Sequence, residues 1–292
     1  MKILLTDRTM NGHRKTYMEW LSRIPGEEFY VLAPENPGVH STHFTEYSLS
    51  GNLKSINSYL DWIRQIKYVA KKNIVDIVHI LDGDSVMRWF GIGFGSIDVP
   101  RMVITYHHFF EGRVRQISYR SMCRGESRVI VAHTEAVAKA LRAYGIKNIA
   151  RCEYPAFDFA SIVGRDSATA KEKMGVPSKV PVIGIIGGMS SYKNIIPFLE
   201  TMQNCSVNFH LLICGRTGEI SEDDIRSASE PYKDRVTLKL KYLSGDEYEE
   251  AIAASDIIYC IYGHEFNGAS GPLTDGVCAK KIILSCSHGS LG

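Results

Sequence analysis

Glycines and a lysine follow a predicted strand in the second half of the chain. Gly187 and Gly188 come directly after the apolar run at 180–186, and Lys193 lies within the next turn. Glycines let the backbone approach a ligand closely, and an ammonium beside a helix end can neutralise a diphosphate. This spacing predicts a site for a phosphate-bearing ligand, although a glycine turn before a helix is often only a turn.

Two further predicted strands in this half also end in polar loops. Gly215 and Arg216 follow the strand predicted at 208–214, and Tyr242 follows the one predicted at 235–240. Arginine pairs well with phosphate, and a tyrosine ring can pack against a base. Ordinary turns and core packing explain each loop equally well when it is taken alone.

The densest group of candidate residues lies close to the end of the sequence. Gly268, Ser270 and Gly271 precede a predicted helix, whose first N–H groups can bind phosphate oxygens. Glu265 precedes these small residues and Asp275 follows them. An ionised carboxylate only accepts hydrogen bonds, so it suits the hydroxyl groups of a sugar or a ribose. The segment therefore predicts binding of a hydroxyl-rich phosphate ester, unless both acids simply face solvent.

Strands and helices alternate along the whole chain, which indicates parallel sheets covered on both faces. The predicted strands are 2–6, 29–33, 76–81, 101–105, 128–132, 180–186, 208–214, 235–240, 256–262 and 281–285. The predicted helices are 14–23, 53–70, 134–144 and 244–253, the last starting with a capping box at Ser244. The alternation restarts after 155–178, which we interpret as an inter-domain segment. We therefore expect an α/β protein with two doubly wound domains, 1–158 and 159–292, facing a ligand cleft.

The composition is that of a globular protein, with 45% hydrophobic and 23% charged residues. Neither a signal-peptide core nor a membrane-spanning apolar stretch is present, so we expect a cytoplasmic protein. The seven cysteines are scattered without a Cys-x-x-Cys pair, which predicts buried reduced thiols and no metal site.

Positive charge is concentrated in residues 101–151, which hold ten basic and three acidic side chains in a chain of net charge +2. This segment is either an ordinary solvated face or a surface for an anionic membrane or a phosphate-bearing acceptor. The second interpretation would place the protein at the inner face of the cell membrane. Nucleic acid is not expected, because aromatic residues do not interleave with these charges.

In their order, the segments of the second half resemble the donor domain of retaining nucleotide-sugar glycosyltransferases with the GT-B fold (family 4-like, group 1). That family follows its first donor-domain strand with Gly-Arg-x-x-x-x-Lys, and Gly187, Gly188 and Lys193 match this frame with glycine at the arginine position. Its Glu-x7-Glu signature aligns with Asn267 at the first acid and Asp275 at the second. The resemblance covers essentially the whole chain, with its more specific motifs in the second half.

The resemblance implies a role for each matched residue. Lys193 would hold the donor diphosphate, Asp275 the ribose, and the amides at 270–272 the phosphate oxygens. Asn267 or Glu265 would lie beside the transferred sugar. No resident cofactor or metal is implied, because the nucleotide sugar, linked to UDP or GDP, is a co-substrate.

The first half agrees with this family in outline. Asn11, Gly12 and His13 lie where the family has an acceptor-side loop, and His107 lies at the position of a strand-end histidine near the reaction centre. The family continues with further helices beyond the point at which this sequence ends, so we expect the C-terminal domain to be incomplete.

Retaining, metal-independent transfer of a sugar to a glycan, a lipid-linked or a small-molecule acceptor is therefore the favoured function. Three alternatives stay open. Asp82-Gly83-Asp84 after a strand could hold a divalent ion in a metal-dependent glycosyltransferase of another fold. The same two domains could carry a nucleotide-sugar epimerase, or a non-catalytic subunit that binds a glycan or nucleotide, as the departures at Gly188 and Asn267 suggest. A dehydrogenase is disfavoured, because no Gly-x-Gly-x-x-Gly opens either half.

Overall fold

The computed structural model describes residues 1–10, 14–38, 43–47, 52–154, 162–289 and 291–292. The chain forms two compact units, Met1–Pro155 and Ala156–Gly292, called unit 1 and unit 2 below. The predicted boundary after residue 158 falls outside the described residues and stays a prediction.

Unit 1 contains one parallel sheet of seven strands in the order β3-β2-β1-β4-β5-β6-β7. The strands are β1 Lys2–Thr6, β2 Glu28–Ala33, β3 His43–Glu46, β4 Ile77–Ile80, β5 Arg101–Tyr106, β6 Arg128–Ala132 and β7 Ile149–Arg151. The α-helices are α1 Arg14–Leu21, α2 Ile56–Asn73, α3 Gly83–Val86, α4 Arg113–Met122 and α5 Glu135–Ala143, with 3-10 turns at Met87–Trp89 and Phe94–Ser96.

The order of the strands reverses between β1 and β4, because the chain first adds β2 and β3 on one side and then β4 to β7 on the other. In open parallel sheets, ligands bind beside the carboxyl ends of the strands at such a reversal. Helix α2 packs on this sheet through its apolar stripe, in which Trp62 is fully buried and donates its indole N–H to Thr6 Oγ1 at 2.9 Å. The reversal in unit 1 therefore lies directly above a well-packed core.

Unit 2 contains a parallel sheet of five strands in the order β10-β9-β8-β11-β12. The strands are β8 Val182–Ile186, β9 His210–Cys214, β10 Val236–Lys239, β11 Ile257–Cys260 and β12 Ile282–Ser285. The α-helices are α6 Ser167–Met174, α7 Ile195–Met202, α8 Glu222–Ser229, α9 Gly245–Ala254 and α10 Gly271–Cys278, with 3-10 turns at Ser191–Lys193 and Glu230–Arg235. The two parallel sheets with their helices confirm the predicted α/β class and its doubly wound order.

The strand order of unit 2 reverses between β8 and β11. Strands β8 and β9 are buried along their whole length, which explains their uninterrupted apolar sequence. The reversal brings the loop after β8, which carries Lys193, to the same edge as the loop after β11, which leads to Asp275. The sheet topology of unit 2 therefore gathers the predicted phosphate and ribose residues at one edge.

Helix α6 lies within residues 155–178, the predicted inter-domain segment, and was not itself predicted. Asp166 caps this helix by accepting the Thr169 N–H at 2.8 Å, and Gly175 ends it in the left-handed region. Ala170 and Met174 are buried in the core of unit 2. The helix was missed because two buried apolar side chains in eight residues are too few to give a clear helical period.

The prediction that the cysteines are buried reduced thiols is partly corrected. All seven are free thiols, as predicted, but only Cys214 and Cys260 are buried, and Cys152 is exposed. Among the described residues, the structure contains no helix that is both long and apolar enough to cross a bilayer.

Candidate functional site

The Lys193 side chain turns back beneath the end of strand β8. Its ammonium donates a hydrogen bond to the Ile186 carbonyl at 2.9 Å and lies 5.8 Å from the centre of the Tyr262 ring. The backbone carbonyl of Lys193 accepts the Tyr259 hydroxyl at 2.9 Å, which fixes the short 3-10 turn. The sheet and two tyrosines therefore hold the lysine in one position.

Lys193 is only 5% exposed to solvent, yet it forms no ion pair with any described residue. Burial lowers the pKa of Lys193 to about 8. An ammonium has three N–H donors, and a single carbonyl and a ring face occupy only part of that capacity. The site therefore holds a desolvated cation that can still accept a negatively charged partner.

Two glycines make room above this lysine. Gly187 has φ +96°, and a Cβ placed on it would lie 3.2 Å from Lys193 Nζ. A Cβ on Gly215, with φ +143°, would lie 2.0 Å from the Gly187 carbonyl oxygen. The turns after β8 and β9 therefore touch backbone to backbone, and only glycine fits at either position.

The first turn of helix α10 lies on the other side of Gly187. A Cβ on Gly187 would lie 3.8 Å from Pro272 Cγ, as well as close to the lysine. Ser270 caps the helix by accepting the Leu273 N–H at 3.3 Å, and its hydroxyl lies 3.1 Å from Tyr262 Oη. Pro272 has no N–H, so the expected donors at 270–272 reduce to Ser270 and Gly271.

Asp275 lies one turn further along α10 and is 92% buried. The Tyr248 hydroxyl, on helix α9, donates to Asp275 Oδ2 at 2.7 Å. Burial raises the pKa of Asp275 to about 6, and the hydrogen bond from Tyr248 opposes part of that rise. A Cβ on Gly271 would lie 4.0 Å from both Asp275 Oδ2 and Tyr248 Oη. The contacts thus run without a break from Lys193 through Gly187 and α10 to Asp275.

The other predicted residues of unit 2 take more peripheral positions. Gly188 and Arg216 are exposed, and the Met189 N–H donates to the Arg216 carbonyl at 3.0 Å, so the loops after β8 and β9 run side by side. Tyr242 is 62% exposed at the end of β10. Arg216 on the second loop therefore lies beside Gly188, the position at which the family has its own arginine.

The predicted sugar-side residues precede helix α10. Gly268 is buried and Asn267 is half-buried, whereas Glu265 is exposed. The Glu265 carboxylate folds over its own loop, because a Cβ on Gly263 would lie 2.2 Å from Glu265 Oε2. The Glu265 carboxylate therefore lies against Gly263 of its own loop.

In unit 1, His107 follows strand β5 and is 93% buried. Its Nε2 lies 2.9 Å from the Leu81 carbonyl, which follows β4, and its backbone N–H donates to Asp84 Oδ2 at 3.2 Å. The ring lies 5.2 Å from that of His133, at the end of the adjacent strand β6. Asn11, Gly12 and His13, the predicted acceptor-side loop, lie outside the described residues.

Asp82 and Asp84 are held by neighbours within unit 1. Asp82 pairs with Arg14 and caps helix α3 through the Ser85 N–H, and Asp84 accepts the backbone N–H groups of His107 and His108. Among the described residues, no group of three His, Cys, Asp or Glu side chains is placed to hold a metal ion. The Asp-x-Asp sequence therefore stabilises the strand ends of unit 1.

Three residues of the sites were missed by sequence analysis: Tyr248, Tyr262 and His133. Tyr248 and Tyr262 contact Asp275 and Lys193 only because helices and strands far apart in sequence pack together. His133 directly follows a predicted strand, as His107 does, and that shared position is the signal that could have identified it.

No family model matches the sequence, and no curated protein matches it significantly. Solved structures match over 99% of this chain. A glycosyltransferase from Rickettsia africae ESF-5 has a TM-score of 0.73 at 20% identity, over 80% of its own chain. Anabaena HepE, in complex with UDP and glucose, has a TM-score of 0.74 at 14% identity, over 82% of its chain. Sucrose-phosphate synthase from Thermosynechococcus elongatus has a TM-score of 0.76 at 12% identity, over 82% of its chain.

These similarities extend through both units and through every described strand of the two sheets. At such low identity they establish the fold and leave the chemistry to the residues themselves. The chain therefore has the GT-B fold that these glycosyltransferases share.

Proposed function

We propose that this chain is a glycosyltransferase that moves a sugar from a nucleotide-sugar donor to an acceptor hydroxyl. The observation that carries the proposal is the buried ammonium of Lys193, which has no acidic partner among the described residues and lies beside Gly187, next to the first turn of α10. Burying an uncompensated charge costs free energy, so an anionic ligand is the simplest reason for its presence.

A diphosphate fits this position. The Lys193 ammonium and the N–H groups of Ser270 and Gly271 would face its oxygens, where they stabilise the negative charge that develops as the sugar departs. Arg216, exposed on the neighbouring loop, can supply a second positive charge. The complexes of Anabaena HepE with UDP and with UDP-glucose support the choice of a nucleotide sugar as ligand.

The ribose is assigned to Asp275. With its pKa near 6, this carboxylate is ionised at neutral pH and accepts hydrogen bonds from hydroxyl groups. Oδ2 already accepts from Tyr248, so the remaining lone pairs are available to the two ribose hydroxyls. Tyr242, exposed at the end of β10, is the proposed contact for the base.

The transfer itself breaks the bond between the anomeric carbon and the diphosphate oxygen, whose electron pair leaves with the diphosphate. The acceptor oxygen forms the new bond, and its proton passes to the departing diphosphate oxygen. Retention of configuration, and charge neutralisation by Lys193 and helix-end amides in place of a metal, are part of the proposal. His107, Asn267 and Glu265 are the proposed side chains near the transferred sugar, and the acceptor is a glycan, a lipid-linked or a small molecule.

Calorimetric titration of the intact chain with UDP-, GDP- and ADP-sugars tests the proposal. Wild type should bind at least one of them, and Lys193→Met should weaken that binding about 100-fold, the loss of a charge-assisted contact worth about 3 kcal/mol. Lys233→Met, on an exposed lysine paired with Glu230, is the control and should bind as wild type does.

Product analysis then separates the remaining candidates. Transfer to an added acceptor supports the glycosyltransferase, and a changed sugar without acceptor indicates an epimerase. Binding without turnover across donor and acceptor panels indicates a non-catalytic subunit, which the exposed position of Glu265 and the glycine at residue 188 favour as the second candidate. If no nucleotide sugar binds, the proposal fails.

A further inference from the structure

Helix α4 of unit 1 exposes apolar side chains on its outer face. Val114 is 64% exposed and Ile117 is 60% exposed, and Phe110, just before the helix, is 39% exposed. Ser118, Tyr119 and Met122 form the opposite, buried face. Since Val114 and Ile117 are three residues apart, they lie on the same side of the helix, away from the core.

Arginines surround these apolar residues. Four of them, Arg113, Arg115, Arg120 and Arg124, lie between Glu111 and Glu126 without an acidic residue among them. All four are exposed, and none forms an ion pair within the described part of the chain. By contrast, Arg142 on the next helix pairs with Glu135 at 2.9 Å. The basic excess of residues 101–151 is therefore concentrated on α4 and the residues just after it, where these four arginines form no ion pair with a described residue.

Two of these arginines make contacts with neighbouring residues. The Arg115 guanidinium lies 5.5 Å from the centre of the Phe110 ring, and Arg120 donates through Nε to the Tyr144 carbonyl at 2.8 Å. Arg113 and Arg120 are four and three residues from Ile117, so they flank it on the helix surface. Their long stems let the charged heads reach a polar layer while the aliphatic residues enter an apolar one.

We propose that this face of α4, formed by Phe110, Val114 and Ile117 with Arg113, Arg115, Arg120 and Arg124, docks on an anionic membrane surface. A bilayer interface offers an apolar region for the aliphatic side chains and phosphate groups for the arginines at the same time. The proposal concerns unit 1 alone and does not depend on nucleotide binding in unit 2.

Other occupants fit this face less well. A second copy, docked by the same face, would place arginine against arginine, because a twofold interface pairs a patch with itself. Single-stranded nucleic acid stacks its bases on aromatic rings, whereas the two most exposed residues here are aliphatic.

Flotation of the full chain with lipid vesicles tests this inference. Wild type should bind vesicles of phosphatidylcholine with about one third phosphatidylglycerol, and should bind pure phosphatidylcholine at least about 10-fold more weakly. The combined Val114→Gln, Ile117→Gln variant should lose about 10-fold or more in affinity for the anionic vesicles. Each of Arg113→Gln and Arg124→Gln should cost about fivefold, and about 0.5 M salt should weaken binding strongly.

Val207→Gln is the matched control, because Val207 is 65% exposed but lies in unit 2. It should bind vesicles as wild type does, and circular dichroism should show all variants folded. Equal binding to neutral and anionic vesicles, or equal losses for Val207→Gln and the α4 variants, would overturn the inference. Concentration-dependent dimers that the α4 variants abolish, without vesicle binding by wild type, would also overturn it and assign the face to a second copy.

Discussion

Two buried clusters, one in each unit, balance charge differently at the edges where the strand orders reverse. In unit 1, Arg14 pairs with Asp82 and lies 3.7 Å from Asp7, so this cation and the acids offset one another, whereas the buried Arg8 has the Ser58 hydroxyl and two aromatic rings beside it. In unit 2, Lys193 has a carbonyl and a ring beside it but no acid among the described residues. Both groups follow the first strand of a doubly wound sheet, so topology alone does not explain the difference.

The pKa values of Asp7 in unit 1 and Lys193 in unit 2 also reflect this difference in charge balance. Burial and the nearby Asp82 raise the pKa of Asp7 to about 7, although Arg14 opposes the rise. Burial lowers the pKa of Lys193 to about 8, although the nearby Cys260 opposes part of the fall. A neutralised cluster contributes to the fold, whereas a buried charge without a counter-ion weakens the fold and suits a site that waits for its ligand.

Removing the cation of unit 1 should have the largest effect on stability. Arg14→Met leaves Asp82 and Asp7 buried without their partner, so the free energy of unfolding should fall by about 3 kcal/mol. Urea unfolding followed by tryptophan fluorescence measures this in unit 1, which contains all three tryptophans, at positions 20, 62 and 89.

Arg142→Met is the control for this experiment, because its exposed pair with Glu135 should contribute less than about 1 kcal/mol. If both variants lose the same free energy of unfolding, the buried cluster around Arg14 stabilises the fold no more than an exposed ion pair does.

The corresponding change in unit 2 should have the opposite sign. Lys193→Met removes a buried charge whose pKa has fallen from 10.5 to about 8, a penalty of about 3 kcal/mol that applies in full below pH 8. The variant gains the stability that this buried charge costs, but it loses the hydrogen bond to the Ile186 carbonyl. We therefore expect the melting temperature of unit 2 to rise by about 4 °C.

Lys171→Met provides the contrast within the same unit, since Lys171 is buried but pairs with Asp256 at 2.8 Å. It should lower the melting temperature, because Asp256 loses its partner. Calorimetric scans at pH 7 measure both variants, and a lower melting temperature for Lys193→Met would show that the lysine stabilises the fold.

Asp275→Asn should weaken nucleotide-sugar binding by about 30-fold. The amide keeps the shape of the side chain but gives up the charge that strengthens two hydrogen bonds to ribose, a loss of about 2 kcal/mol. Calorimetry measures the change, with Asp223→Asn, an exposed aspartate of α8, as the control. Unchanged affinity in Asp275→Asn would contradict the assignment of the ribose contact to this residue.

The smallest predicted effect is a shift in pH dependence. Donor affinity should be highest between about pH 6 and pH 8, because Asp275 becomes protonated below that range and Lys193 loses its proton above it. Tyr248 favours the ionised carboxylate, so Tyr248→Phe should move the acidic limb up by about 0.7 pH units, equivalent to a hydrogen bond of about 1 kcal/mol. Donor affinity measured from pH 5 to 9 should show this shift. If the acidic limb of the pH profile is the same in Tyr248→Phe and wild type, Tyr248 does not influence Asp275 in donor binding.

The fold was largely predictable because its central strands are continuous apolar runs. Strand β1 was predicted with its observed limits, and β8 and β9 within two residues at their starts. Strands β3 and β7 were missed, because they are short edge strands with mostly exposed side chains and give no apolar pattern.

The candidate site was only partly predictable. The glycines and Lys193 could be identified from their spacing. The burial of the ammonium, and the absence of an acid beside it among the residues that the structure describes, depend on how β8, β11 and α10 pack together. Tyr248 and Asp275, which are in contact, lie 27 residues apart in sequence and on different helices. Sequence patterns report local periodicity, so such tertiary pairs stay hidden from them.

The pKa of Lys193, measured with and without UDP, tests the central claim most directly. Nuclear magnetic resonance of lysine labelled with ¹⁵N, with Lys193→Met for assignment, follows this ammonium through a pH titration. We predict a pKa near 8 in the free protein that rises when the diphosphate of UDP provides the missing negative charge. A pKa that stays the same at saturating UDP would contradict the account.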